Sequence, residues 1–395
     1  MGEAMINPEP ASIGTPYSRK NPFRAELTRH EHLTKPGSQK DTRHFVISLA
    51  GSGLKYTPGD SLAAFGRNPP ALVAEVIRLL GFDPKERIKN SKNQESTLEQ
   101  TLTEDFILNR ANRKIMSGLA ERIPQGEQRN RLMEIVDNSE ELSEYLHTRD
   151  YVDIFQDFDE AQFESPEAFL AQLSPIVPRL YSIASCLDAH PNEAHLCISV
   201  VRYETHGRAK KGLASGFFAD HAPTFVKDIP VYIQESRTFR LPQDNTRNII
   251  MVGPGTGVAP FRAFLEQRIL DGATGLNWLI FGEQHRATDF LYGDEFLAYE
   301  KNGKLQRLDL AFSRDQAQKI YVQHRMSENA RQLWEWIQGG AYFYVCGDAK
   351  RMAKDVHQTL IEIAKTEGGM TPETAGTYVN QTLMRTEKRY LRDVY

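Results

Sequence analysis

Between Asn21 and about Phe65, short apolar-rich runs ("FRAELTRHEHL", "TRHFVISLAGSGLKYTPGDSLAAF") are broken by Gly, Pro and Asp, which predicts β-strands. The hydrophobic period then becomes helical. Leu72, Val73, Val76, Ile77 and Leu80 fall on one face, with Pro70 suited to the helix start. Leu98, Leu102 and Phe106 repeat that spacing, and Thr101 with Glu104 is expected to form a capping box. Asn138 and Ser165 are expected N-caps of two further helices. Strand texture returns in "RLYSIAS", "HLCISVVRY" and "IPVYIQES", up to about Arg240. Beyond "LPQDNTR", strands alternate with helices: "NIIMVGPG" precedes "APFRAFLEQRIL", "NWLIFGE" precedes "DFLYGDEFLAYEKNG", and "AYFYVCGD" precedes "AKRMAKDVHQTLIEIAKTEGG". Such βα units call for a parallel sheet covered by helices on both faces.

The expected organisation has four parts. Residues 1–20 form a flexible lead-in; 21–66 and 173–243 make one β domain; 67–172 is a helical insertion within it; and 244–395 is a nucleotide-type α/β domain. The mixture is therefore α+β followed by α/β.

Composition narrows the function. Hydrophobic residues at 40% and charged residues at 25% describe an ordinary globular chain, and a net charge of -4 argues against nucleic acid as the main partner. No apolar run approaches the ~18 residues of a membrane span, and the first residues show no export or transit pattern. Cys186, Cys197 and Cys346 have neither metal spacing nor a disulfide framework, so a reducing cytoplasm is expected. No metal site is expected; His30, His32 and His44 read as surface residues.

"IIMVGPGTGVAPFRAF" is an apolar strand, a glycine turn and a helix start. Gly253, Gly255 and Gly257, with Thr256 between them, let the backbone approach a pyrophosphate at a helix N-terminus. The third glycine comes one residue earlier than in G-x-G-x-x-G, so an ordinary strand–turn–helix connection also fits. "AFSRDQAQKIYVQ" places Ser313, Arg314, Lys319, Tyr321 and Gln323 within eleven residues, a set of cations, hydroxyls and an aromatic suited to a phosphorylated ribose and its adenine. A site for a ribose 2′-hydroxyl would instead carry an acidic residue at a strand end, so NADPH is expected over NADH. In "RLYSIAS", Arg179, Tyr181 and Ser182 offer a phosphate ligand, a flat ring and a hydroxyl; in "KKGLASGFFAD", Gly212 and Ser215 mark a second possible phosphate cradle.

"RLYS", "GLAS", "VGPGTGVAPFRAF", "SR…K-Y-Q", "YVCGDAKRMAKDV" and "RYLRDVY" stand in that order from Pro22 to Tyr395. The chain resembles the ferredoxin–NADP reductase-like module of diflavin reductases, nearest to the sulfite reductase flavoprotein branch. The resemblance implies an antiparallel FAD-binding β-barrel with a helical insertion, followed by a parallel-sheet NADP-binding domain. It implies that Arg179, Leu180, Tyr181 and Ser182 bind FAD, with Cys197, Ile198, Ser199 and Tyr203 lining it and Gly212, Leu213, Ala214 and Ser215 on its phosphate side. Gly253, Gly255, Thr256 and Gly257 would take the NADPH pyrophosphate; Ser313, Arg314, Lys319, Tyr321 and Gln323 the 2′-phosphate end; Asp355 would also face NADP. Ser182, Cys346 and Asp393 would surround the nicotinamide, and Tyr395 would stack on the flavin where that ring must land. From the residues alone, Cys346 is equally a buried structural thiol.

The implied activity is hydride transfer from NADPH to FAD, then single-electron delivery to an external acceptor, in sulfite reduction. About twenty residues precede the resemblance, too few for the flavodoxin-like FMN domain of that branch, so the expected acceptor is a flavodoxin-like FMN protein, a ferredoxin or a sulfite reductase haemoprotein. Arg19, Lys20, Arg24, Arg29, Lys35, Lys40 and Arg43 are either a docking face for an acidic carrier or a solvated surface. Two other readings stand beside this one. A general ferredoxin or flavodoxin reductase fits less well, because it lacks so large a helical block; a non-catalytic assembly module for a haemoprotein would show degraded cofactor motifs.

Overall fold

The computed structural model describes residues 16–222 and 224–395; the expected lead-in lies outside them as far as residue 15. The first strands are β1 (Phe23–His32), β2 (Thr42–Ser48) and β3 (Ser61–Ala64). A short hairpin, β4 (Arg87–Lys89) and β5 (Glu95–Thr97), sits within the helical stretch that follows, which the helical period did not foresee. The chain returns as β6 (Arg179–Ser182) and β7 (Glu193–Ser199), makes the hairpin β8 (Arg202–Thr205) and β9 (Arg208–Lys211), and ends this region with β10 (Lys227–Gln234). Six of these strands form one antiparallel sheet in the order β6-β3-β10-β1-β2-β7. A bridge between Ile183, just past β6, and Leu196 in β7 joins the two edge strands and closes a barrel. Inward-facing Leu27, Phe45, Ile47, Leu62, Leu196 and Val231 fill it.

The inserted helices pack around their own core, which includes Leu102, Ile115, Leu119, Tyr151 and Phe169. Helix Pro70–Leu80 starts at the anticipated proline, and Asn138 and Ser165 cap their helices through side-chain oxygens, as their positions predicted. The Thr101–Glu104 capping box does not form. Thr97 is the N-cap of helix Leu98–Glu104, accepting from the Gln100 amide, while Thr101 is buried one turn inside. Both threonines fit the local pattern, and the apolar face of Leu98 and Leu102 decides where the helix begins. Buried Lys210, with Arg208, pairs with Asp150 and Asp153 and ties the β8–β9 hairpin to the insertion.

Five strands build the second sheet: β11 (Ile249–Val252), β12 (Asn277–Glu283), β13 (Arg307–Phe312), β14 (Tyr342–Gly347) and β15 (Tyr390–Val394). Their order is β13-β12-β11-β14-β15, and all pairings are parallel. Side-chain alternation splits the sheet into two cores. Ile250, Val252, Ile280, Phe343 and Val345 face one set of helices, while Met251, Leu279, Phe281, Tyr344 and Cys346 face the other, together with Ala184, Cys197 and Phe239 from the barrel side. The chain order reverses between β11 and β14, and in open α/β sheets ligands gather at the carboxyl ends of strands beside such a switch point.

Candidate active site

The glycine turn occupies that switch point. β11 ends at Val252, a 3-10 turn spans Gly255–Val258, and helix Ala259–Leu270 follows. A Cβ on Gly257 would lie 2.2 Å from the main-chain oxygen of Cys346, so only glycine allows the turn to sit against the end of β14. This contact presses the turn and Cys346 together.

Cys346 is fully buried, and burial holds its thiol well above the usual range, so it remains protonated. Parallel pairing of β14 with β15 sets Cys346 opposite Asp393. The Asp393 carboxylate accepts a hydrogen bond from Ser182 Oγ at 2.8 Å and lies 3.8 Å from Cys346 Sγ. Ser182 comes from the barrel, 211 residues away in sequence. Two residues on, the Tyr395 amide bonds to the Gly347 oxygen, and its half-exposed ring reaches the Thr256 hydroxyl at 3.0 Å. Ser182, Cys346, Asp393, Thr256 and Tyr395 therefore meet at the seam between the two domains.

The barrel side carries the rest of the anticipated flavin residues. Arg179 and Leu180 are exposed on β6, and the Tyr181 ring is positioned edge-on against Phe218 at 5.9 Å. Tyr203 is exposed on β8. Gly212 caps helix Leu213–Asp220, where a Cβ would meet Ser215 Oγ at 2.7 Å; Ser215 Oγ itself accepts from the Val201 amide. That leaves a close, backbone-lined cradle of the kind a phosphate needs. Within "CIS", the Cys197 side chain is buried toward the second domain, where burial pushes its thiol up to about 12, and Ile198 lies in the barrel interior; Ser199 alone is exposed.

A second cleft, about 360 Å³, opens beside the glycine turn and is lined by Gly255, Ser313, Arg314, Lys319, Tyr321 and Glu283, among others. Residues distant from it in sequence complete it, since Lys40 and Gln39 arrive from the β1–β2 loop. Gln323 donates to Asp355 at 3.3 Å, and neither is among the residues that line the cleft. The acidic strand end that would mark a 2′-hydroxyl site, which the sequence reading did not find, is present at Glu283, paired with Lys40. It was missed because it ends a neighbouring strand, thirty residues before Ser313.

His44 is not on the surface. It is buried between His195 and Tyr292, with Nδ1 2.9 Å from the Tyr292 hydroxyl, because β2 turns that side chain toward the second domain. Burial brings both His44 and His195 down to about 3, so both imidazoles are neutral. Three possible metal ligands also gather nearby, with donor atoms of His190, Glu193 and His195 within 4.8 Å of one another. In this arrangement His190 Nε2 is bonded to Glu266 and His195 Nε2 to Glu193.

Residues 15–217 match the family model described as an FAD binding domain. The chain belongs to that family. Residues 251–358 match the model of an oxidoreductase NAD-binding domain, so the two halves bind FAD and a nicotinamide dinucleotide. The residues present fit these groups: a glycine cradle beside helix Leu213–Asp220, a flat aromatic on β6, and a cationic cleft next to a glycine turn. The chain is similar to the sulfite reductase [NADPH] flavoprotein alpha-component of Bacillus subtilis, with 43% identity over 100% of this chain and 65% of that protein. It is equally similar, at 43%, to those of Mannheimia succiniciproducens and Escherichia coli O157:H7, covering 96% of this chain and 62% of each relative. The chain thus spans less than two thirds of the length of these relatives. Among the described residues, no helix is long and apolar enough to cross a membrane.

Proposed function

We propose that the chain is an NADPH-dependent FAD reductase of the sulfite reductase flavoprotein type. Residues 21–66 with 173–243 hold FAD, 244–395 hold NADPH, and 67–172 connect them. The observation that carries this reading is the meeting of Ser182 from the barrel with Cys346 and Asp393 at the carboxyl end of the parallel sheet.

Bound FAD would supply the conversion of a hydride into two single-electron transfers. The protein supplies position and charge. Ser182 commits its only hydroxyl proton to Asp393, which leaves its oxygen lone pairs to accept from a ring edge. Asp393 holds a carboxylate beside the site where positive charge grows on the nicotinamide as hydride leaves, and fixed charge of that sign lowers the barrier. Cys346, kept as a thiol, would adjoin the nicotinamide without acting as a nucleophile. Tyr395, anchored through Thr256, would cover the flavin where the nicotinamide has to dock.

Electrons then pass to an acceptor protein, for which a sulfite reductase haemoprotein, a flavodoxin-like FMN protein and a ferredoxin are the candidates, in the cytoplasm. Several of the cations that could dock such a carrier are engaged within the chain: Arg43 with Asp41, Arg24 with Asp228 and Lys40 with Glu283.

The test is spectroscopic. Purified protein given FAD should turn yellow, bleach with NADPH and reduce ferricyanide or cytochrome c; the three acceptor classes are then compared by turnover. A protein that stays colourless with FAD, or stays yellow with NADPH, would overturn the proposal.

A further inference from the structure

The loop between β1 and β2 leaves the barrel and lies on the other domain. The Lys35 amide donates to the Thr288 oxygen at 2.8 Å, Ser38 donates to the fully buried carboxylate of Asp289, and Arg314 donates to Gln39 at 2.5 Å. Lys40, at the end of the loop, forms an ion pair with Glu283.

Glu283 is the residue of interest. It ends β12, the strand next to the glycine-turn strand β11, and its side chain is only 4% exposed. In nucleotide-binding sheets, a carboxylate at that strand end accepts hydrogen bonds from a ribose diol and works against a phosphate on the same ribose. Here its main-chain oxygen accepts from the Ser313 amide at 2.8 Å, so the carboxylate belongs to the same wall as Ser313 and Arg314. With little water to screen it, an uncompensated Glu283 would oppose the phosphate those two residues are suited to bind. Of the cations that line the cleft, Lys40 forms the ion pair with it.

We propose that Lys40, supplied by the barrel, masks Glu283 and thereby makes the cleft selective for a 2′-phosphorylated adenosine. Lys40 is a specificity-determining residue, and Glu283 is the reason one is needed. Docking of the β1–β2 loop is then part of nucleotide recognition, because the masking cation comes from the other domain. This inference rests on the cleft being the 2′-phosphate end of the NADPH site.

The experiment uses the purified, FAD-loaded chain and two probes without a nicotinamide, 2′,5′-ADP and 5′-AMP, titrated by calorimetry. Lys40→Ala should weaken 2′,5′-ADP by about 30-fold, because a buried charge is left unpaired. It should weaken 5′-AMP by less than about threefold. Glu283→Gln alone should leave 2′,5′-ADP within about threefold of the parent, and Lys40→Ala with Glu283→Gln should recover to the same range, which is the signature of coupled neighbours. Lys40→Arg should keep the preference. Unchanged binding in Lys40→Ala, or a double variant as weak as Lys40→Ala, would overturn the masking. A parent chain that binds both probes equally would remove the premise instead, independently of Lys40. Flavin absorbance and melting temperature verify that each variant is folded.

Discussion

The two ends of the proposed nucleotide path are built on opposite physical plans. At the seam, Ser182, Cys346 and Asp393 are short side chains held by strand register, a glycine contact and, for Cys346, full burial. In the cleft, Arg314, Lys319 and Tyr321 are long, exposed side chains around about 360 Å³ of open space. Short, partly or fully buried groups act through fixed geometry with less water around them, where one atom matters greatly. Long exposed cations act through charge that water and salt screen, and neighbours can replace part of a lost one. The seam should therefore control rate, and the cleft affinity and choice of nucleotide.

Four measurements break or sharpen that contrast. The largest effect is expected from Asp393→Asn, which keeps the shape and removes the charge. Flavin reduction followed by stopped-flow absorbance should slow by about 100-fold, as for loss of one preorganised electrostatic group. NADP+ affinity should change little. Equal losses in rate and affinity would erase the distinction between the two ends.

Acid should act next, through the interface that holds the seam together. His44 and His195 stand at about 3 in the folded chain, against an ordinary value of 6.5. Between those values the unfolded chain binds the protons, so their contribution is complete above about pH 6.5 and falls as pH drops toward 3. From pH 7 to pH 5 each histidine should cost about 2 kcal/mol of stability. Guanidinium unfolding at the two pH values measures this, and a flat profile would show that the neutral histidines are not a stabilising part of the interface.

Arg314→Ala probes the cleft. It should weaken 2′,5′-ADP by about tenfold at low salt, and the difference should shrink as salt rises. A salt-independent loss would mean that the guanidinium works by shape. The smallest change is expected from Tyr395→Ala, which should lower the preference for NADPH over NADH by about threefold in kcat/KM, the scale of one lost ring contact. An unchanged preference would assign Tyr395 no role in discrimination.

Much of this was legible beforehand, for local reasons. The switch from alternating to helical spacing marked where helices begin after β3. The glycine turn and the cluster from Ser313 to Tyr321 were visible because each lies within a dozen residues. The junction of Ser182, Cys346 and Asp393 was reached by resemblance, since no spacing links residues 211 positions apart. Errors came where burial by a distant element decided the outcome. His44 reads as a surface residue, yet β2 turns it against Tyr292; Thr101 reads as a cap, yet the helix begins at Leu98 behind its N-cap Thr97 and buries Thr101 one turn inside. Strand β15 was not anticipated, because "RYLRDVY" has no clear alternation and pairs only along β14.

By itself the sequence determined most of the element types, the two glycine turns and the cation cluster, all of them features written in side-chain chemistry over short stretches. Tertiary structure alone decided which of these share a site. Parallel register put Asp393 opposite Cys346, barrel closure carried Ser182 to them, and the β1–β2 loop brought Lys40 to Glu283. The reason is that a contact between remote residues depends on sheet order and domain docking, which are properties of the whole chain's packing.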